Sequence, residues 1–155
     1  MIDLGAAPGG WSQIISEITD KIIAVDLLCI DPIKNVEFIC GDFLEKSTID
    51  KIDQLLNGRL ADVIMSDMAP STCGIQKVDH IMIMNIIEVV FDFCKIYLAN
   101  NGALVTKVFQ GGAETKFLNE LKRVFKKVSH FKPKSSRKES SEMYLVCCGF
   151  LRDKL

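Results

Sequence analysis

Apolar and polar residues alternate in blocks along the chain, and the lengths of these blocks predict the secondary structure. Short apolar runs that end in turn-forming residues are typical of buried strands. Such runs predict strands at residues 2–4, 22–25, 36–40, 62–65, 103–108, 128–131 and 142–150. Apolar positions at helical spacing predict helices at residues 11–18, 48–57, 79–99 and 114–126. The chain therefore alternates between strands and helices.

This alternation predicts an α/β fold with a mostly parallel, doubly wound sheet. Only a short loop separates the last two strands, so we expect them to pair antiparallel and to form an antiparallel C-terminal edge. The chain has 155 residues and no internal repeat or linker, which predicts a single domain over residues 1–155. Sheets of this kind bind ligands outside the carboxyl ends of their strands.

The composition is that of an ordinary globular protein, with 48% hydrophobic and 25% charged residues. The most apolar stretch, residues 81–98, is interrupted at three- and four-residue steps by Asn85, Glu88, Asp92 and Lys95. These four residues share one helix face, which predicts an amphipathic surface helix and no membrane span. The first residues lack the basic and apolar stretches of a secretory signal, so we expect a cytoplasmic protein, and a monomer.

Six cysteines and two histidines are the candidate ligands for a soft metal ion. The cysteines form no C-x-x-C pair, and the two histidines stand far apart in the sequence. We therefore predict that the cysteines are small buried side chains or unreactive thiols, with neither a zinc site nor disulfides.

A glycine-rich turn, DLGAAPGGW at residues 3–11, lies between the first predicted strand and the first predicted helix. Gly5, Gly9 and Gly10 allow the backbone to approach a ligand, and the helix N-terminus offers free N–H groups. Trp11 opens the helix, either as a packing residue or as a ligand contact. The turn matches neither the G-x-G-x-x-G fingerprint nor a P-loop, which disfavours a dehydrogenase and a nucleoside triphosphatase.

Three aspartates come at or just after the ends of successive predicted strands. Asp26 is placed where an acidic side chain can accept hydrogen bonds from the ribose hydroxyls of an adenosine-type ligand. Asp42 could accept a hydrogen bond from an adenine amino group, and Asp67 follows the next strand. Each aspartate alone is more often a helix cap or turn former. Lys107 ends an apolar strand and is expected at the same rim as Asp67, although such a lysine is commonly solvated.

Six segments together resemble the motifs of a known family. They are DLGAAPGGWSQ (3–13), AVDLL (24–28), GDF (41–43), SDMAP (66–70), KVFQG (107–111) and KPKSSRKESSEMYLV (132–146). In this order they resemble the FtsJ/RlmE family, which methylates ribose 2′-hydroxyls of ribosomal RNA. The resemblance covers almost the whole chain and implies the Rossmann-like fold of S-adenosylmethionine-dependent methyltransferases.

The resemblance also implies a cofactor site and a catalytic group. The residues implied to hold S-adenosylmethionine are Gly5, Gly9, Gly10, Trp11, Asp26, Asp42 and Asp67. Asp67, Lys107 and Glu142 match three members of the family's K-D-K-E catalytic group. The first lysine of that group precedes the first strand in the family and has no counterpart here, so we expect a chain truncated at its N-terminus relative to the family, or another lysine that takes its place.

The implied reaction transfers a methyl group from S-adenosylmethionine to the 2′-oxygen of a uridine ribose in 23S, large-subunit ribosomal RNA. A lysine suits this chemistry because it can act as a base or as a fixed cation beside a developing alkoxide. Two alternatives stay open. One is a 2′-O-methyltransferase of transfer RNA or of a messenger RNA cap, and the other is a truncated cofactor- and RNA-binding module with little turnover.

The formal net charge of −1 conceals an uneven distribution of charge along the chain. Between Lys116 and Lys138 there are nine basic residues and one acidic residue, so this basic segment carries +8 and the remainder −9. Clustered basic residues bind nucleic-acid phosphates by releasing counterions. The basic segment is therefore a candidate contact surface for ribosomal RNA or the large ribosomal subunit, and the alternative is a solvated helix surface.

Overall fold

The computed structural model describes residues 1–71, 73–109, 115–137 and 140–155. Its strands are β1 (Ile2–Leu4), β2 (Ile22–Asp26), β3 (Val36–Cys40), β4 (Ala61–Ser66), β5 (Leu98–Phe109), β6 (Phe125–Phe131) and β7 (Glu142–Phe150). Its α-helices are α1 (Gly10–Ile15), α2 (Lys46–Leu56), α3 (Gln76–Tyr97) and α4 (Thr115–Val124), and a 3₁₀ turn spans Arg152–Lys154.

The seven strands form one sheet in the order β3-β2-β1-β4-β5-β7-β6. Strands β1 to β5 pair in parallel, and the strand order reverses between β1 and β4. Strand β7 is antiparallel to both of its neighbours, so β6 beyond it runs in the same direction as β1 to β5. This sheet confirms the predicted doubly wound α/β fold with an antiparallel C-terminal part.

Burial along the strands follows their position in the sheet. All of β1 and nearly all of β2 are buried, because helices cover both faces of the inner parallel strands. Strands β3 and β6 lie at the two edges and expose much of their length. The central strands therefore form a rigid base from which the loops at their carboxyl ends project.

Helix α3 has the predicted amphipathic form. Ile87 and Val90 are fully buried in the core, whereas Glu88 and Asp92 are exposed on the opposite face. Phe91 packs edge-on against Phe117 of α4, which joins the two helices over the same part of the sheet. In the described parts of the chain, none of the helices combines the length and the apolar character that crossing a membrane requires.

Several predicted boundaries are wrong, and at two of them tertiary pairing overrides local sequence preference. Helix α4 ends at Val124 and β6 begins at once, since Phe125 pairs with Phe150 and buries all but 3% of its surface. Helix α3 leads directly into β5 at Leu98, and residues 100–102, which lie between the predicted helix and the predicted strand, form an irregularity within β5. Asn101 has a positive φ of 65° there, in keeping with its turn-forming character.

Two of the six cysteines are buried, in keeping with the prediction, and for the other four the predicted alternative, an unreactive thiol, stays a prediction. Cys94 and Cys147 are buried, but Cys29, Cys40, Cys73 and Cys148 are exposed. Cys147 and Cys148 are adjacent on β7, and successive strand residues point to opposite faces, so only one of them can enter the core. In the described residues, no cluster of three His, Cys, Asp or Glu side chains is placed to hold a metal ion.

Candidate active site

Strand register brings the glycine-rich turn and the three aspartates to one edge of the sheet. Leu4 of β1 pairs with Val25 of β2 and with Ser66 of β4, so the turn, Asp26 and Asp67 emerge side by side. Together they border a cavity of about 570 Å³. It is lined by Gly5, Ala7, Val25, Asp26, Leu27, Gly41, Asp42, Phe43, Leu44, Asp67, Met68, Ala69, Asn85, Ile86 and Val89. Such a volume is typical of a small-molecule or cofactor site.

The three glycines of the turn differ in what their positions require. Gly5 lines the cavity with φ +74°, and an added Cβ there would collide with the side chain of Met68. Gly9 caps the N-terminus of α1 with φ +105°, and an added Cβ would meet Cδ1 of Ile33 at 3.0 Å. An added Cβ at Gly10 would meet nothing within 4 Å. The structure therefore demands glycine at Gly5 and Gly9, and of the three only Gly5 is part of the cavity wall.

Asp26 joins the glycine-rich turn to the end of β2. Its Oδ2 accepts a hydrogen bond from the backbone N–H of Ala7, and its Oδ1 accepts one from that of Leu28, both at 2.8 Å. A carboxylate oxygen has two lone pairs, so each oxygen keeps one acceptor site free for a ligand. Asp26 lines the cavity, which makes it both a structural clamp and a candidate ligand contact.

Asp42 lies on the other side of the cavity, next to an apolar wall. Its Oδ1 accepts a hydrogen bond from the backbone N–H of Leu44 at 2.9 Å. Phe43 and Leu44 from this loop, with Ile86 and Val89 from α3, form an apolar surface beside the carboxylate. An apolar wall next to a hydrogen-bond acceptor suits a flat ring that carries an amino group.

The predicted catalytic residues come together at the same rim. The Nζ atom of Lys107 lies 3.0 Å from Oδ1 of Asp67 and 3.4 Å from Oε1 of Glu142. It also donates a hydrogen bond to the backbone carbonyl of Asp67 at 3.0 Å. Lys107 exposes only 8% of its surface, so two carboxylates and one carbonyl compensate a largely buried ammonium group.

Register explains why these three residues meet. Ser66 pairs with Thr106 in parallel strands, so the residues that follow them, Asp67 and Lys107, are neighbours. Lys107 lies opposite Tyr144 on the antiparallel strand β7, and Glu142 is two residues away from Tyr144 on the same face. The antiparallel strand β7 thus places a second carboxylate, that of Glu142, beside Lys107.

Tyr144 is a residue of this site that the sequence analysis did not identify. Its hydroxyl donates a hydrogen bond to Oδ1 of Asp67 at 3.0 Å. Burial and the neighbouring carboxylates of Asp67 and Glu142 raise the pKa of Tyr144, so the phenol stays protonated as a donor. The two-residue period of β7 places Tyr144 on the same face as Glu142, and this pattern could have pointed to it.

Trp11 packs against that tyrosine and does not line the cavity. The ring centroids of Trp11 and Tyr144 are 5.3 Å apart with a tilted geometry. This contact holds Tyr144 against Asp67 from the side of α1. In this structure Trp11 therefore supports the part of the rim formed by Tyr144 and Asp67, and its predicted contact with the cofactor remains a prediction.

A buried carboxylate lies behind the glycine-rich turn. Asp3 is fully buried, and its Oδ2 accepts a hydrogen bond from the hydroxyl of Ser12 at 2.7 Å, which ties α1 to β1. Within the part of the chain that the structure describes, its Oδ1 has no hydrogen-bond partner, and burial raises the pKa of Asp3. The turn is thus anchored by two carboxylates, Asp3 below it and Asp26 beside it.

The basic segment does not form one continuous face. Six of its eight described basic residues lie near the two ends of β6, which are roughly 20 Å apart at about 3.3 Å per residue, while Lys116 lies in the first turn of α4 and Lys127 lies within β6. Exposed Lys132, Lys134 and Arg137 follow the end of β6 that lies near Glu142, and we call them the rim group. Exposed Lys122, Arg123 and Lys126 lie at the other end, and we call them the distal group. Lys138 lies outside the described residues.

Known proteins that are similar to this chain include two bacterial relatives named ribosomal RNA large subunit methyltransferase E. The relative from Wolbachia pipientis wMel is 46% identical over 99% of this chain and 79% of its own length. The relative from Acidiphilium cryptum is 49% identical over 99% of this chain and 68% of its own length.

Solved structures show the same fold. A Plasmodium falciparum protein described as a ribosomal RNA methyltransferase superimposes with a TM-score of 0.83 at 33% identity, covering 97% of this chain and 85% of its own. A Streptococcus mutans methyltransferase crystallised with S-adenosylhomocysteine superimposes with a TM-score of 0.58 at 17% identity, covering 96% and 84% of the two chains. The fold is therefore the Rossmann-like fold of S-adenosylmethionine-dependent methyltransferases.

The sequence also matches a family model, in keeping with the motifs and with the fold. The model of the FtsJ-like methyltransferases matches residues 1–150, which is almost the whole chain. S-adenosylmethionine is accordingly the methyl donor. The chain belongs to the FtsJ-like methyltransferase family.

Proposed function

We propose that this protein transfers a methyl group from S-adenosylmethionine to the 2′-oxygen of a uridine ribose in large-subunit ribosomal RNA. The observation that carries the proposal is the position of Lys107, held between Asp67 and Glu142 at the rim of the cavity. The names of the curated relatives support ribosomal RNA as the substrate. The choice of a uridine ribose rests on the resemblance of the motifs to the FtsJ/RlmE family.

The residues of the cavity fit the proposed cofactor in size and in chemistry. Asp26 offers free acceptor sites for two ribose hydroxyls, and Asp42 offers an acceptor beside the apolar wall for an adenine amino group. Gly5 lets the turn pack against Met68 in the same cavity wall, where an added Cβ would collide with the methionine side chain. When bound, S-adenosylmethionine supplies a methyl group on a positively charged sulfur, which is the electrophile of the reaction.

Lys107 and its two carboxylates then act on the substrate hydroxyl. A ribose 2′-hydroxyl is a poor nucleophile, so it must be oriented and its oxygen must be stabilised as the proton leaves. Lys107 Nζ is placed to donate a hydrogen bond to that oxygen, and its charge stabilises the developing alkoxide. Glu142, whose side chain is 47% exposed, can accept the departing proton and release it to water. Asp67, fixed by the hydroxyl of Tyr144, orients the ammonium group.

The experiment that tests this function measures methyl transfer from labelled S-adenosylmethionine to four substrates. These are large ribosomal subunits, naked large-subunit ribosomal RNA, transfer RNA and capped messenger RNA. Digestion of the product should yield 2′-O-methyluridine from one of the two large-subunit substrates. Methylation of transfer RNA or caps in preference would contradict the proposed substrate, and methylation on a base would contradict the proposed 2′-oxygen. Cofactor binding without any transfer would support a binding module in place of the enzyme.

The rim group is expected to contact the RNA more strongly than the distal group. The double variant Lys132→Ala/Lys134→Ala removes two positive charges beside the catalytic rim, and Lys122→Ala/Arg123→Ala removes the same charge about 20 Å away along β6. The rim variant should weaken RNA binding. It should also make the negative slope of the logarithm of the association constant against log salt less steep, by roughly 1.4 to 1.8. Filter binding at several salt concentrations measures both quantities. Equal effects of the two variants, or a wild-type affinity independent of salt, would contradict this placement of the RNA.

A further inference from the structure

Two cysteines that take no part in the proposed catalysis lie next to the cofactor cavity. Cys29 is in the loop between β2 and β3, and Cys40 is the last residue of β3. Their Sγ atoms are 3.0 Å apart and both residues are exposed. The hydrogen bond shared with Cys29 raises the pKa of the Cys40 thiol. A disulfide has sulfur atoms about 2.05 Å apart, so the two atoms need to approach by only about 1 Å.

We propose that Cys29 and Cys40 form a modification site, at which hydrogen peroxide oxidises the two thiols to a reversible disulfide. One thiol attacks the peroxide, the oxygen–oxygen bond breaks, the sulfur becomes a sulfenic acid and one water leaves. The second thiol attacks that sulfur, the sulfur–sulfur bond forms and a second water leaves. Two thiols thus lose two electrons and two protons, and hydrogen peroxide is reduced to two waters. A small dithiol reverses the reaction by exchange.

The disulfide would fasten a loop that contacts the cofactor site at several points. Leu27 lines the cavity, and the backbone N–H of Leu28 donates to Asp26. Ile30 and Ile33 pack over Gly9, since an added Cβ there would meet their Cδ1 atoms at 3.6 and 3.0 Å. The pair therefore joins the cavity side of this loop to the end of β3, directly before Gly41 and Asp42 of the opposite wall.

The remaining cysteines are either buried or, within the described residues, not hydrogen-bonded to another thiol. Burial raises the pKa of Cys94 and brings that of Cys147 to about 12, so neither forms thiolate at neutral pH. Cys73 and Cys148 are exposed, but in the part of the chain that the structure describes only Cys29 and Cys40 share a thiol–thiol hydrogen bond. Cys73 and Cys148 therefore serve as matched controls for exposure without pairing.

The test uses the full chain and a variant in which Cys73 and Cys148 are replaced by serine, which removes exposed thiols that could link two molecules. Both proteins are treated with hydrogen peroxide at low protein concentration and analysed by intact mass, peptide mapping and thermal unfolding. We expect loss of two hydrogen atoms, a linked peptide pair containing Cys29 and Cys40, and full reversal by dithiothreitol. Closing this loop should raise the unfolding temperature by about 5 °C.

A further substitution, Cys40→Ser in the same background, separates the proposed disulfide from general oxidation. In this variant the linked peptide and the increase in unfolding temperature should both be lost. The proposal is overturned if peroxide gives sulfinic acid on the separate thiols of the parent, or links another pair of cysteines. It is also overturned if Cys40→Ser shows the same stabilisation as its parent. None of these measurements depends on turnover, so they stand apart from the test of the methyltransferase activity.

Discussion

Replacing Lys107 with alanine is expected to lower the rate of methyl transfer by about 1000-fold and to leave the affinity for S-adenosylmethionine almost unchanged. The Nζ atom lies within 3.4 Å of carboxylate oxygens of Asp67 and Glu142, but Lys107 is not part of the cavity wall. Its removal therefore takes away the cation beside the substrate oxygen without removing a cofactor contact. Single-turnover transfer measures the first quantity, and calorimetric titration with S-adenosylmethionine measures the second.

Two further variants show what the lysine does. Lys51→Ala removes an exposed lysine on α2 and should retain full transfer. Lys107→Arg keeps a fixed cation that does not release its proton at neutral pH. Partial recovery in the arginine variant would assign Lys107 as an electrostatic stabiliser, whereas an arginine variant as inactive as alanine would assign it as the base. Equal loss of transfer and of cofactor affinity in Lys107→Ala would instead show a structural residue.

The sequence predicted the central sheet well because its strands are short, apolar and bounded by turn-forming residues. The predicted bounds of β1, β3 and β7 agree with those in the structure. The same pattern located the aspartates, since the residue that ends a parallel strand necessarily lies at the carboxyl edge. Asp26 and Asp67 lie on either side of the glycine-rich turn because β1 pairs with both β2 and β4, and this pairing is visible only in the structure.

What the sequence did not predict depends on contacts between distant segments. The wall that α3 contributes through Ile86 and Val89 looks like any other part of an amphipathic helix until its position over the sheet is known. Tyr144 acquires a role only because β7 inserts next to β5 and places the phenol against Asp67. Strand order and helix docking decide both features, and the two-residue period that puts Tyr144 on the same face as Glu142 does not by itself show that this face meets Asp67.

The distribution of basic residues along the sequence predicted a basic segment but not its division into two groups. Nine basic residues between Lys116 and Lys138 suggested one surface, because a count along the sequence ignores the direction in which the chain runs. The structure shows that the extended strand β6 separates Lys122, which precedes its first residue, from Lys132, which follows its last, so the two lie at opposite ends of β6. Only the end near Glu142 adjoins the catalytic rim, which is why the two groups are expected to differ in their contribution to RNA binding.

Asp26→Ala is expected to weaken the binding of S-adenosylmethionine by roughly 10- to 100-fold, because hydrogen bonds to a charged group contribute about 1.5 to 3 kcal/mol. The loss has two sources. The variant lacks the acceptor sites for the ribose hydroxyls, and it also releases the backbone N–H groups of Ala7 and Leu28 from the carboxylate. Asp26→Asn keeps one acceptor oxygen and the shape of the side chain, so its affinity should fall between those of the wild type and the alanine variant.

Calorimetric titration gives these affinities, and a matched control separates them from a general effect of charge. Asp31→Ala removes an exposed aspartate from the loop between β2 and β3. Asp31 does not line the cavity, so the affinity of this variant for S-adenosylmethionine should equal that of the wild type. Thermal unfolding of the cofactor-free proteins then shows whether the affinity falls because the turn is destabilised or because the acceptor sites for the ribose hydroxyls are missing. If Asp26→Ala unfolds at a much lower temperature while Asp26→Asn binds normally, the carboxylate acts only as a clamp for the turn. If both variants fold stably and both bind weakly, the free acceptor sites of Asp26 hold the cofactor.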